Sequence, residues 1–284
     1  MISLSKLIAI IVTLCITLIL PVIVAVVYSI KNKGKKVWQA WLLGAAGFFV
    51  LQMLIRIPIL SVVSTLPAFT KLITEHYVIY CLILAITAAM FEVIARFGVA
   101  KILQKNLCYE KALAAGLGHG GIESMLLIGM TYINNLLYAF MINTGTFDVM
   151  VAQVQATNTM TPEQMEQLKA IKIALVETVT GAFYLAGYER MLTMICHGAM
   201  SLFVCYMVYK KRTMFGVLIA FLIHFCIDFV SPLINGMATE YLGNQITQNT
   251  AYVLIYSFLT LVSVGCVVMM IKISKKWKVE NEFH

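Results

Sequence analysis

Apolar residues fill seven long stretches of this chain, and short polar or basic segments separate them. The stretches are 4–30, 37–60, 77–98, 112–141, 181–209, 213–235 and 250–272. Each is long enough for a membrane-spanning helix, which needs about 20 predominantly apolar residues. The pattern therefore predicts an all-α fold, a polytopic membrane helix bundle with about seven transmembrane helices, located in the cell membrane.

The composition supports a membrane protein without a separate soluble domain. The chain is 61% hydrophobic and 12% charged, with a mean hydropathy of +0.89. A soluble domain is about half apolar and about a quarter charged. The longest polar connection, 141–175, is too short to bury a core of its own. We therefore expect residues 1–284 to form a single integral membrane domain in contact with the lipid bilayer.

Basic residues account for the net charge of +8, and they adjoin the apolar stretches. They concentrate at 31–36, 210–212 and 272–278. Lysine and arginine mark cytoplasmic connections, so these clusters indicate topology and argue against a nucleic-acid partner. The segments 31–36, 99–111, 210–212 and the C-terminal tail together hold 14 basic residues. The N-terminal segment and the remaining connections hold 4. This asymmetry predicts an outer N-terminus and a cytoplasmic C-terminus.

Ionisable residues interrupt four of the apolar stretches. They are Glu92 with Arg96, His119 with Glu123, His197, and His224 with Asp228. An ionised side chain at the bilayer centre costs about 3 kcal/mol even on lenient insertion scales. At a rise of about 1.5 Å per residue, they lie about 9 to 22 Å from the predicted inner edge. We therefore expect them to surround one cavity, which opens towards the cytoplasm.

Metal or proton chemistry is the first interpretation of this set. Four glycines flank His119, and small residues let membrane helices approach closely; they are Gly116, Gly118, Gly120 and Gly121. Zinc takes about four nitrogen, oxygen or sulfur ligands, so two histidines and a carboxylate can hold a catalytic ion with a bound water. A second carboxylate can then act as the general base, because zinc makes its water acidic. The residue types alone leave open which carboxylate has which role.

The order of these motifs resembles a known family. The chain reads Phe91-Glu92-Val93-Ile94-Ala95-Arg96, then Gly118-His119-Gly120-Gly121-Ile122-Glu123-Ser124, then Arg190 before His197, then His224-Phe225-Cys226-Ile227-Asp228. This looks like the YhfC family of intramembrane metalloproteases, which is grouped with PrsW-type proteases, type II CAAX prenyl endopeptidases and the APH subunit of gamma-secretase. The motif-bearing helices, about 77–235, carry the resemblance. The first two helices and the last carry no motif.

The resemblance implies roles for individual residues. By resemblance, Glu92 would activate water. From the residues themselves, Arg96 one turn along could keep Glu92 ionised, and Glu123 is a second candidate catalytic carboxylate. His197 and His224 would bind the metal or stabilise the oxyanion. Asp228, which stands where CAAX endopeptidases often have Asn, is a further candidate metal ligand. The chain departs from its relatives in having Phe91 before Glu92 instead of a second Glu. It also has His119 where PrsW proteins have an aromatic residue, which makes His119 an additional candidate ligand.

The resemblance therefore implies a membrane-embedded metalloendopeptidase that uses a divalent metal, Zn²⁺ by preference. Its substrate would be a membrane-embedded protein or a lipidated peptide. The alternatives are a proton- or ion-coupled membrane transporter and a non-catalytic scaffold, since the APH subunit is itself a scaffold. Transport is less favoured because the sequence shows no inverted repeat.

One connection contains its own helix signal. Thr161 precedes Pro162, and Gln164 follows, which is the pattern of an N-cap, a first helical proline and a capping box. Apolar residues then recur at helical spacing up to Leu175. We expect a short amphipathic helix here, lying on the outer surface or leading into the next span. A structural lid is the favoured role, and gating of a substrate is the alternative. We expect Arg190 either to pair locally with Glu189 or to anchor at the membrane interface.

Overall fold

The computed structural model describes residues 1–282, with the side chains of residues 1–277, and over this range the fold is helical without a strand. In chain order the helices are α1 (Leu4–Lys31), α2 (Val37–Val63), α3 (Pro67–Glu75), α4 (Tyr77–Asn106), α5 (Tyr109–Thr144), α6 (Thr146–Thr157), α7 (Pro162–Glu177), α8 (Thr180–Tyr209), α9 (Thr213–Met237) and α10 (Gln248–Glu282).

Seven of these helices, all but α3, α6 and α7, are long and apolar enough to cross a membrane. This confirms the all-α, multi-pass architecture and the number of spans expected from the apolar stretches. Helix ends differ from the prediction by a few residues; α5, for example, extends beyond 112–141 at both ends. The direction in which the chain crosses the membrane stays a prediction.

The helix expected after Thr161 is confirmed as α7. The Thr161 side chain accepts a hydrogen bond from the Gln164 backbone N–H (3.3 Å), and the Gln164 side chain accepts one from the Thr161 N–H (2.9 Å). Both halves of a capping box are thus present, with Pro162 in the first turn. The short helices α3 and α6 were not expected from the sequence.

Three π-helical segments interrupt the membrane helices within residues 1–282. They are Cys15–Ile19 in α1, Phe49–Arg56 in α2 and Ser124–Gly129 in α5. A π-helical turn shifts the side chains around the helix axis and is frequent at functional sites. One of these segments carries Gln52 and Arg56, and another begins directly after Glu123.

The chain divides into two compact units, described here separately. The first unit consists of Met1–Pro21 with Ser124–Met191. Its apolar core holds Ile10, Tyr132, Ala139 and Phe183 among its buried members. The Phe183 carbonyl accepts hydrogen bonds from the Thr13 hydroxyl (2.7 Å) and the Tyr132 hydroxyl (3.1 Å). Arg190 pairs with its neighbour Glu189, as expected.

The second unit consists of Val22–Glu123 and the chain from Leu192 onwards, and it contains every predicted site residue. Helices α2 and α5 pack backbone to backbone at two glycines. A Cβ at Gly44 would lie 1.8 Å from the Ala115 carbonyl oxygen, and a Cβ at Gly118 would lie 1.9 Å from that of Trp41. Only glycine permits this separation, so these two positions set the distance between the helices.

Candidate metal centre

Glycines in α5 also bring α8 close, and this places His119 and His197 in one cluster. A Cβ at Gly116 would lie 2.7 Å from the His197 carbonyl oxygen, and one at Gly120 would lie 2.9 Å from the His197 Cβ. Close approach through small residues is the expected packing mode for membrane helices. The rings of His119 and His197 stack with their centroids 5.1 Å apart.

Glu92 of α4 lies at the centre of the cluster and is 4% exposed. Its Oε2 accepts a hydrogen bond from Arg96 Nη2 at 2.9 Å. The same oxygen lies 3.2 Å from His119 Nε2, 3.3 Å from His224 Nε2 and 3.6 Å from His197 Nδ1. One carboxylate oxygen therefore faces a guanidinium from its own helix and three imidazoles, one each from α5, α8 and α9.

His197 links this carboxylate to the second one. Arg96 Nη2 lies 2.6 Å from His197 Nδ1, and His197 Nε2 lies 2.8 Å from Glu123 Oε2. A guanidinium only donates hydrogen bonds, so Nδ1 is the acceptor in the first contact. His197 thus presents its other ring nitrogen, Nε2, to the second carboxylate.

His224 and Asp228 form the edge of the cluster. His224 Nε2 lies 3.1 Å from Asp228 Oδ2, and the Asp228 side chain is 31% exposed. The rings of His224 and His197 have centroids 5.5 Å apart. Asp228 is thus the member through which the buried cluster comes nearest to the surface of the second unit. The side of the membrane from which the cluster is reached stays a prediction.

Two further polar residues, Gln52 and Arg56, belong to the cluster but were not assigned to it from the sequence. Gln52 Nε2 donates to Glu92 Oε1 at 3.1 Å, and Arg56 Nη1 donates to Gln52 Oε1 at 3.2 Å. Arg56 is itself held by the Leu84 carbonyl (3.0 Å) and the Thr87 hydroxyl (3.3 Å). Their spacing of four residues in an apolar stretch is the same signal that marked the other pairs. The second helix therefore does carry part of the site.

The donor atoms fit a divalent metal ion. One ligand atom from each of Glu92, His119, Glu123 and His197 lies within 4.8 Å of the other three, and all four residues are buried. Nitrogen and oxygen ligands of this kind suit zinc and similar ions. His224 and Asp228 are outside this group of four, and their ligand role stays a prediction.

The comparisons with known proteins agree with the motifs. The family described as YhfC intramembrane metalloprotease matches residues 16–247. The chain belongs to this family. It is similar to the uncharacterized membrane protein YhfC of Bacillus subtilis (strain 168), with 28% identity over 210 residues that cover 74% of this chain and 77% of that protein. No solved structure matches the chain significantly.

The YhfC match covers all the residues of the cluster, from Gln52 to Asp228. The resemblance seen in the four sequence motifs is thereby confirmed at the level of the family. What the family name describes, a metalloprotease within the membrane, is compatible with a buried group of two carboxylates and two histidines that could hold a metal ion.

Proposed function

We propose that this protein is a metal-dependent endopeptidase that cleaves a membrane-embedded or lipidated protein within the bilayer. The observation that carries the proposal is the buried group of Glu92, His119, Glu123 and His197, whose ligand atoms lie within 4.8 Å of one another. Buried charges are costly in a membrane and mark functional sites when they cluster. Family membership supplies the reaction class.

His119, His197 and Glu123 are the residues we assign to hold the ion, for which we propose Zn²⁺. When bound there, the ion would acidify a coordinated water and polarise the carbonyl group of the scissile bond. Glu123 is suited to this role because its Oε2 already points at His197 Nε2, 2.8 Å away. Glu123 Oε2 and His197 Nε2 could then both direct a lone pair towards the same ion.

Glu92 is the general base in this proposal. Its Oε2 takes the proton from the attacking water and later delivers it to the leaving amide nitrogen. A base must remain an ionised carboxylate until it acts, and Arg96 at 2.9 Å stabilises that form. Gln52 holds the other carboxylate oxygen at 3.1 Å and so fixes the direction in which Oε2 points.

Arg96 has donors left for the substrate. Its Nε and Nη1 are buried and find no hydrogen-bond acceptor among the described residues. Unsatisfied buried donors are rare because each costs about 1 to 3 kcal/mol, more when charged. We assign them to the oxygen of the scissile carbonyl, where negative charge develops during attack and fixed donors are most effective.

Glu92→Gln tests the assignment, because it keeps the size of the side chain but removes the base. Wild-type and variant proteins are produced in the same host strain, and new protein termini in the membrane fraction are quantified by mass spectrometry. Termini that depend on the wild-type protein should fall at least about 100-fold with the variant, the lower end of the usual contribution of a general base. Exposed Glu75→Gln is the matched control and should leave them unchanged.

Metal content separates the ligands from the base. Purified wild-type protein should carry about one divalent ion, and Glu92→Gln should retain it. His119→Gln, His197→Gln and Glu123→Gln should lose it, whereas exposed His76→Gln should not. A protein that holds no metal, or that generates the same termini without Glu92, would contradict the proposal. In that case a scaffold or transporter role would become the better interpretation.

A further inference from the structure

A groove of about 370 Å³ separates α8 from α10 along part of their length. Towards the start of the contact, Cys196 Sγ lies 3.3 Å from Ser263 Oγ. Towards its end, the Trp277 ring packs on Tyr206 and Tyr209, with centroids 5.3 and 5.4 Å apart. The groove lies between these two contacts.

Glycine and flexible apolar side chains form the floor and walls of the groove. Phe203 and Met207 of α8 face Gly265 and Met269 of α10 across it. A Cβ at Gly265 would meet nothing within 4 Å, so the groove is open where this side chain is missing. Methionine adapts its shape to irregular apolar partners. Such a surface suits a hydrocarbon chain.

Two lysines close one end of the groove. Lys272 and Lys276 both line it, and their spacing of four residues places them on one face of α10. Neither pairs with a carboxylate of residues 1–277, the part of the chain whose side chains are described. Gly265 lies about 16 Å before Lys276 along the helix axis. That distance is close to one leaflet of hydrocarbon, about 15 Å.

A second basic surface adjoins this end. Lys211 and Arg212, in the connection before α9, line a surface cavity together with Met214 and Phe215 in the first turn of α9. The Phe215 ring contacts Phe203, a groove residue, at a centroid distance of 6.1 Å. Positive charge therefore continues from the groove to its surroundings.

We propose that this groove is a binding site for an anionic phospholipid. One acyl chain occupies the apolar floor beside Gly265, and the phosphate lies between Lys272 and Lys276. The combination of an apolar channel with two cations at its polar end matches the chemistry of such a lipid. Basic pockets between transmembrane helices recognise anionic headgroups in this way. The site is separate from the candidate metal centre.

The headgroup part is tested with purified full-length protein in detergent. Dioleoylphosphatidylglycerol or dioleoylphosphatidylcholine is titrated, and bound lipid is measured by native mass spectrometry. We expect the wild type to prefer the anionic lipid, and Lys272→Gln or Lys276→Gln each to weaken its binding about fivefold, since a lysine near anionic lipid contributes on the order of 1 kcal/mol. Lys275→Gln removes the same charge from the same helix outside the groove and should have no such effect.

The acyl-chain part is tested by filling the floor. Gly265→Leu places a side chain into open space, so it should displace the lipid at least tenfold without lowering the melting temperature. Gly98→Leu is the control, because a Cβ at Gly98 also meets nothing within 4 Å but lies in α4, away from the groove. Equal binding by the Lys272, Lys276 and Lys275 variants would overturn the headgroup assignment, and unchanged binding by Gly265→Leu would overturn the location.

Discussion

Replacing Gln52 with Leu removes one side-chain amide from the cluster. Gln52 lies in α2, a helix that carries none of the sequence motifs. The side chain is 3% exposed, donates to Glu92 Oε1 at 3.1 Å and accepts from Arg56 at 3.2 Å. Leucine has nearly the same volume and no polar atoms. The substitution therefore leaves the packing of α2 almost unchanged but releases one oxygen of the catalytic carboxylate.

Two energies follow from this geometry. A hydrogen bond to a charged group contributes about 1.5 to 3 kcal/mol, so the free energy of unfolding should fall by about 2 kcal/mol. The effect on the catalytic rate should be larger than the effect on stability. Without Gln52, the Glu92 carboxylate can rotate and move Oε2 away from the attacking water. A misplacement of about 1 Å costs about 100-fold in rate. We expect the rate to fall between about 10- and 100-fold.

The assay measures the rate at which a wild-type-dependent protein terminus appears after induction, together with metal content and thermal unfolding. Gln52→Leu should lose rate and keep its metal, since Gln52 contacts none of the three assigned ligands. Gln39→Leu on the exposed side of α2 is the control. A Gln52→Leu protein with more than half the wild-type rate would refute the positioning role. Loss of metal together with rate would show that Glu92 is a ligand.

Three further outcomes are expected. Arg96→Gln should bind Zn²⁺ at least tenfold more tightly in a chelator competition, because the guanidinium that repels the ion is gone; weaker binding would contradict this. Gly118→Ala should lower the free energy of unfolding by about 2 kcal/mol or more, because its Cβ would lie 1.9 Å from a carbonyl oxygen; Gly98→Ala should not. Thr161→Ala should cost about 1 kcal/mol and speed hydrogen exchange only in the first turn of α7; protection equal to wild type would argue against the cap.

The membrane helices and the capped helix α7 could be predicted from the sequence because their signals are local. An apolar stretch of about 20 residues has few alternatives to a spanning helix, since the bilayer leaves no other partner for its backbone. The capping box at Thr161 likewise depends on residues three apart. The short helices α3 and α6 lie between spans, where neither apolar length nor a cap identifies them.

The energetic cost of burying a polar group explains which site residues could be identified from the sequence. It explains both why the motif residues were found and why Gln52 was not. An ionised group in an apolar stretch is costly and therefore conspicuous. A neutral amide is less costly, and one glutamine in α2 attracts little attention by itself. Arg56 lies close to a helix end, where arginine commonly reaches the interface. Their contact with the cluster forms when α2 and α4 pack together: the π-helical segment Phe49–Arg56 presents Gln52 to Glu92, and Arg56 donates to Gln52.

The pairing of atoms within the cluster was also beyond the sequence. The spacing of Glu92 and Arg96 predicts an ion pair, but it does not reveal that the same Arg96 nitrogen lies 2.6 Å from His197. A metal-bound histidine usually donates its second N–H to an acceptor, and here that second nitrogen faces a donor.

His197 Nε2, which faces Glu123 Oε2 at 2.8 Å, is the nitrogen that an ion in this group would use. Arg96 lies 2.6 Å from the opposite nitrogen, Nδ1, so an ion bound at Nε2 would share the imidazole ring with a guanidinium. The affinity of this centre for a metal ion should therefore depend on the position of that guanidinium. Arg96 acts against the ion and in favour of the ionised base, so the tightest metal binding and the fastest catalysis need not coincide in this protein.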